Sequence, residues 1–178
     1  MARRTLTGVL LVGGASERFG SPKALARFEG ETLAERAWRT LGDACDERLA
    51  VGKRGELQFP FDVVHDGSDV RAPITGVVAG LRAAAHDVCV FLPVDCPHVT
   101  ADVLRTFGDA CRDAAVTVEG PLPGAWARSS LTVLERRLRE GRLSLLRAYD
   151  ELDVAHVDID SGLVADADTP EELARLLS

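Results

Sequence analysis

Between Leu11 and Lys23 the chain reads Leu-Val-Gly-Gly-Ala-Ser-Glu-Arg-Phe-Gly-Ser-Pro-Lys, directly after an apolar segment. Glycines let backbone N–H groups turn toward an anion with no side chain in the way, and Arg18 and Lys23 supply positive charge for a polyphosphate. A P-loop carries its lysine immediately after the last glycine, and a dinucleotide fingerprint runs GxGxxG into a helix. Here Lys23 lies three residues past Gly20, so the run matches neither. The plain alternative is an ordinary glycine turn with solvated cations. Lys23 also stands out by composition, because it and Lys53 are the only lysines among 21 cationic residues.

Carboxylates supply the complementary chemistry. Asp95, in Leu-Pro-Val-Asp-Cys-Pro at 92–97, ends the apolar run Val88 to Val94. Ligands of open α/β sheets bind at the carboxyl ends of the strands, and a carboxylate there can hold Mg²⁺ against nucleotide phosphates. Asp66 follows the short apolar run at 63–65 on the same rim, where it can bind a base or ribose, or simply form the turn before Gly67. Gly76, in Pro-Ile-Thr-Gly at 73–76, permits close backbone approach to a nucleotide or close helix packing. Asp166 and Asp168 precede a helix start at Thr169. Asp168 is the second candidate metal ligand, and the alternative is that both acids only favour the helix dipole. The four histidines show no ligand spacing, and no serine sits in a GxSxG setting.

The elements that must position these groups follow from periodicity. Thr5 to Val12 reads as a buried strand, Leu33 to Leu41 as an amphipathic helix, and 48–51 and 62–65 as short strands. A helix over 73–85 precedes the apolar strand 88–94, which suits the middle of a parallel sheet. Thr100 caps a helix reaching about Arg112. Ala115 to Val118 and Trp126 to Arg128 read as strands around a turn at 121–124. Helices follow at 130–140 and 143–152, then a last strand at 154–159. Thr169-Pro170-Glu171-Glu172 has the form of a capping box opening a C-terminal helix. The alternation predicts one α/β domain over residues 1–178 with a mostly parallel sheet.

Composition limits the function classes. At 178 residues and 46 % hydrophobic the chain has material for one sizeable core, and its net charge of −7 argues against a general nucleic-acid binder. Four cysteines without CxxC or zinc spacing read as reduced thiols. No apolar run reaches the roughly 18 residues of a membrane span, so a cytoplasmic protein without membrane contact is expected.

Taken in order, Leu-x-Gly-Gly-x-Ser-x-Arg-Phe-Gly-x-x-Lys-x-Leu at 11–25, Pro-Ile-Thr-Gly at 73–76, Val-Asp-Cys-Pro at 94–97 and Asp-Thr-Pro-Glu-Glu-Leu at 168–173 resemble the MobA family of molybdenum cofactor guanylyltransferases. The resemblance implies a Rossmann-like three-layer α/β/α sandwich of the nucleotide-diphospho-sugar transferase type. It also implies Mg²⁺-dependent transfer of GMP from GTP to the phosphate of Mo-molybdopterin, with release of pyrophosphate. Carried over, Leu11, Val12, Gly13 and Gly14 would meet the guanine nucleotide, Lys23 its phosphates, Asp66 the nucleotide, and Asp95 both nucleotide and Mg²⁺. Arg18 matches the family's loop arginine, and transient contact with other cofactor-biosynthesis proteins would follow. Two positions depart from the pattern: Asp166-Ala167-Asp168 stands where Asn-x-Asn is frequent, and Val51-Gly52-Lys53 lacks the Asn expected after the second strand. The first form also occurs in cytidylyltransferases, whereas Gly13-Gly14 matches the guanine-selecting loop. The alternatives are a cytidylyltransferase or other transferase for a different phosphorylated metabolite, and a nucleotide-binding module without turnover. The last has no chemical need for Lys23 and Asp95 together.

Overall fold

The computed structural model describes residues 3–13, 17–53 and 57–178. Among these, the elements in chain order are β1 (Thr7–Leu11), β2 (Arg27–Phe28), β3 (Glu31–Thr32), α1 (Leu33–Ala44), β4 (Glu47–Gly52), β5 (Val63–His65), α2 (Pro73–Ala83) and β6 (Val88–Pro93). They continue with α3 (Ala101–Ala110), β7 (Ala114–Val116), β8 (Gly124–Ala127), α4 (Leu131–Arg139), β9 (Val154–His156) and α5 (Pro170–Arg175). Seven strands form one sheet in the order β5-β4-β1-β6-β8-β7-β9. β8 runs antiparallel to both β6 and β7, and the other pairings are parallel.

Strand β6 sits at the centre because both its faces are apolar: Val88, Cys89, Val90, Phe91 and Leu92 are all buried. Leu10, Val90 and Leu92 face one core with residues of α1, α3 and α5. Val9, Cys89 and Phe91 face the other core with residues of α2 and α4. Helices on both faces of the mostly parallel sheet that the alternation predicted give the three-layer sandwich that the family resemblance implied. No helix among the described residues is long and apolar enough to cross a membrane.

The connections reverse at one place. From β1 the chain moves through α1 to β4 and on to β5 at one edge, then returns through α2 to β6 on the opposite side of β1. The carboxyl ends of β1 and β6 therefore flank a topological switch point, where such sheets open a crevice for ligands. Leu11 pairs with Pro93 in register, so the glycine loop and the loop carrying Asp95 leave the sheet side by side.

Several predicted elements change length or type. β1, β7 and β9 are shorter than expected, and β8 begins at Gly124 inside the predicted turn. The 143–152 segment is a 3₁₀ helix at Leu146–Glu151 rather than an α-helix. Its buried side chains, Leu145 and Ala148, are three apart, which is the 3₁₀ repeat, and Arg137 donates from beneath to the Ser144 carbonyl. The β2–β3 hairpin was not predicted, because two-residue strands carry no periodicity. Its turn uses Glu29 and Gly30 at φ 49° and 90°. Thr32, at its end, opens α1 with a full capping box to Glu35.

Candidate functional site

The rim above the switch point begins with two glycines. A Cβ on Gly13 would lie 3.2 Å from Gly52 Cα, and one on Gly52 would lie 2.8 Å from Val12 Cγ2. The loops leaving β1 and β4 thus cross backbone against backbone, and Val12 N–H extends the ladder by donating to the Val51 carbonyl at 3.0 Å. Gly14 lies outside the described residues. Beyond it, a 3₁₀ turn at Glu17–Phe19, a left-handed Gly20 at φ 73° and a second 3₁₀ turn at Lys23–Leu25 complete the loop. Phe19 and Ala24 are buried in the core, so they anchor the loop while Arg18 and Lys23 stay on the rim side.

Lys23 joins three distant segments. Its Nζ donates to Asp95 Oδ2 at 2.9 Å and to Asp168 Oδ1 at 3.1 Å, and Arg18 pairs with the other Asp168 oxygen at 2.8 Å. The Lys23 side chain is 12 % exposed and Asp95 19 %. Burial works to lower the lysine pKa, but the charges and hydrogen bonds of Asp95 and Asp168 outweigh it and raise the pKa, so the ammonium stays protonated. Asp95, Asp166 and Asp168 each bring a carboxylate oxygen within 4.8 Å of the others. Burial and the negative charge of Asp95 push Asp166 up from the ordinary carboxylate value. Three hard oxygen donors this close together could hold a divalent cation.

Backbone geometry holds this cluster. Ala167 N–H donates to the Asp95 carbonyl at 3.0 Å, strapping the C-terminal segment to the β6 loop. Thr169 caps α5 by accepting from Glu172 N–H. Glu172 does not close the predicted box onto Thr169; its carboxylate accepts from Asp168 N–H at 2.7 Å. The departure is useful, since it fixes the backbone of the residue that meets Lys23.

Next to the cluster, on the α2 side of the sheet, a cleft of about 230 Å³ is lined by Leu11, Gly13, Lys53, Asp66, Thr75 and Gly76, among others. Asp66 Oδ2 accepts from Lys53 Nζ at 2.6 Å and from Thr75 Oγ1 at 2.9 Å, and Oδ1 accepts from Ser68 N–H at 3.1 Å. Although burial works to raise it, the Lys53, Ser68 and Thr75 bonds hold the Asp66 carboxyl below its ordinary pKa. Gly76 serves packing as well as the cleft, because a Cβ there would lie 2.9 Å from Leu11 Cδ2. Val12 faces a second cleft of about 530 Å³ on the other side of Gly13 and Lys53, walled by Phe59, Phe61 and His65.

Arg18, Lys23, Asp95 and Asp168 therefore come together, and Leu11, Gly13, Asp66 and Gly76 share the neighbouring cleft. Sequence reasoning missed Thr75 and Arg71 in the cleft wall and the engagement of Lys53. The scarcity of lysine was the one signal that could have found Lys53. Of the histidines, His98 contacts the Leu176 carbonyl at 2.8 Å, His86 contacts Thr7 Oγ1 at 3.1 Å, and His65 Nδ1 accepts from Gly67 N–H at 3.0 Å.

Comparison with known proteins agrees with this geometry. A molybdenum cofactor guanylyltransferase of Desulfosudis oleivorans is 30 % identical over 188 residues, spanning 96 % of this chain and 93 % of that one. A probable molybdenum cofactor guanylyltransferase of Deinococcus radiodurans is 32 % identical over 187 residues, with the same coverage of each. In fold the chain is similar to molybdopterin-guanine dinucleotide biosynthesis protein A of Archaeoglobus fulgidus, at TM-score 0.81, 23 % identity and 96 % coverage of each chain. A 2-C-methyl-D-erythritol 4-phosphate cytidylyltransferase of Thermus thermophilus is similar at TM-score 0.75 and 18 % identity, covering 95 % of this chain and 96 % of that one. Residues 8–154 match the MobA-like NTP transferase domain, and with the glycine loop, its lysine and the rim carboxylate joined at one switch point, the chain belongs to that family of nucleotidyltransferases.

Proposed function

We propose that the chain transfers GMP from GTP to the phosphate of Mo-molybdopterin and releases pyrophosphate, in the cytoplasm and with Mg²⁺ as cofactor. The observation that carries this reading is the contact of Lys23 with Asp95 at 2.9 Å, which unites the phosphate-type loop of β1 with the metal-type carboxylate of β6. The names of the D. oleivorans and D. radiodurans relatives support the guanylyl donor and the molybdenum cofactor acceptor.

In this reading the nucleoside enters the 230 Å³ cleft against Leu11 and Gly13, and the triphosphate runs toward Lys23 and Arg18. Asp95 and Asp168, with Asp166 beside them, would hold the cation, which when bound neutralises charge on the phosphates. An oxygen of the acceptor phosphate attacks the α-phosphorus, a new P–O bond forms in line, and the α–β P–O bond breaks to free pyrophosphate. No protein nucleophile is needed; Lys23 and Arg18 hold the phosphates in the reactive geometry and balance the charge of the leaving group. Passage of a reactive pterin to and from the rim fits transient contact with other cofactor-biosynthesis proteins.

The test is pyrophosphate release from GTP or CTP with Mg²⁺ and molybdopterin carrying molybdate. GTP-dependent release that needs both the metal and the acceptor is the expected result. Preference for CTP would reassign the donor, and release only with another phosphorylated metabolite would reassign the acceptor. Silence with every nucleotide would overturn the reading.

A further inference from the structure

Lys53 stands one residue past the end of β4, and its ammonium is fully engaged. It donates to Asp66 Oδ2 at 2.6 Å, to the Ser68 carbonyl at 2.7 Å and to the Val70 carbonyl at 2.7 Å. An ammonium has three N–H donors and no acceptor, so these contacts exhaust it. Lys53 therefore differs from Lys23 in kind: it has no donor left for a phosphate or a base. All three acceptors lie on the segment after β5, so one side chain ties that segment to the end of β4. Through Asp66 the tie continues to Thr75 in the first turn of α2. Asp66 is 5 % exposed and Lys53 14 %, so the pair is nearly dry.

We propose that Lys53 is a positioning residue for the nucleoside end of the substrate, setting the shape of the 230 Å³ cleft through Asp66 and the 66–70 segment, with its ammonium spent inside the protein rather than on the nucleotide. The inference rests on the nucleotide reading of that cleft and sharpens it. Asp66, which the family resemblance casts as a nucleotide ligand, already accepts three hydrogen bonds inside the protein. Its main part is to hold the wall. Around the cleft the charges facing the pair are few: among the described residues, Arg71 also lines it.

The experiment compares equilibrium binding of GTP and of inorganic tripolyphosphate, both with Mg²⁺, to the full chain and to K53M, K53R and K53M/D66N. Tripolyphosphate probes the Lys23 end and reports nothing about the cleft. Because K53M strands a buried carboxylate, it should weaken GTP roughly 10-fold or more while tripolyphosphate stays within about two-fold of wild type. K53R should recover part of the GTP affinity. K53M/D66N removes the stranded charge and so protects the fold, yet the wall stays untied and GTP stays weak. If wild-type discrimination between the two ligands survives in K53M and K53M/D66N, or if both ligands weaken equally, the inference falls alone. If wild type binds GTP no more tightly than tripolyphosphate, the nucleoside reading of the cleft falls, and the inference with it.

Discussion

A single ammonium holds the rim together. Lys23 lies on Asp95 and Asp168, the oxygens that would take the cation in the proposed reaction, so lysine and metal compete for the same ligands. In that reaction a triphosphate would offer Lys23 other acceptors and end the competition, which would couple metal binding to nucleotide binding. Two consequences separate this arrangement from an ordinary surface ion pair. Lys23→Met should lower turnover by roughly 100-fold or more, as loss of a preorganised electrostatic donor does. The same substitution should tighten Mn²⁺ binding in the absence of nucleotide, because the competing charge is gone. Electron paramagnetic resonance of free Mn²⁺ reads this directly, and unchanged or weaker binding in K23M would show that the carboxylates and the ammonium do not share a site. The chemistry of these side chains was legible from residue type and spacing. The engagement of Lys53 was not, because its three acceptors lie 13 to 17 positions away and two of them are backbone carbonyls that no residue type announces.

Elements were legible where burial imposes a period. The unbroken apolar run of β6, the stripe of α1 with Leu33, Ala34, Ala37 and Leu41 buried, and the proline-led start of α2 all read correctly. The failures share a cause: the structure is set by contacts from elsewhere rather than by local pattern. The 3₁₀ helix at 146–151 is shaped by Arg137 beneath it, and Glu172 leaves its own cap to hold Asp168. The crossing of the loops after β1 and β4 belongs to the same class, since its tightness depends on Gly13 and Gly52 meeting across the sheet. Gly52→Ala places a methyl 2.8 Å from Val12 Cγ2 and 3.3 Å from Val63 Cγ1, so the Val12 side chain or the loop that carries it must shift. Overpacking of this kind costs about 1–3 kcal/mol, readable in denaturant unfolding. Gly52 lines the 230 Å³ cleft, so under the proposed function GTP affinity should drop as well. A variant with wild-type stability and wild-type affinity would show that the loops have room to spare.

At the scale of the molecule, the site exists only when the whole chain is folded. Lys23 meets its partners across 72 and 145 positions, and the strap from Ala167 to Asp95 ties the C-terminal segment to the β6 loop. Sequence motifs named the pieces, but their meeting follows from strand order, which puts β4 and β5 on one side of β1 and β6 on the other. A ligand bound by such an assembly has no affinity for the unfolded chain and must stabilise the fold by linkage. At 100 times its dissociation constant it adds about 2.7 kcal/mol, which for a chain of this size raises the melting temperature by about 5–11 °C. Competition between Lys23 and the metal makes the prediction sharper: Mg²⁺ alone should shift the transition little, and GTP with Mg²⁺ should shift it by more than the two separate shifts combined. Differential scanning calorimetry with each ligand alone and both together decides the matter. Strictly additive shifts would mean that nucleotide and metal bind without exchanging Lys23, and the rim would then be two independent sites rather than one.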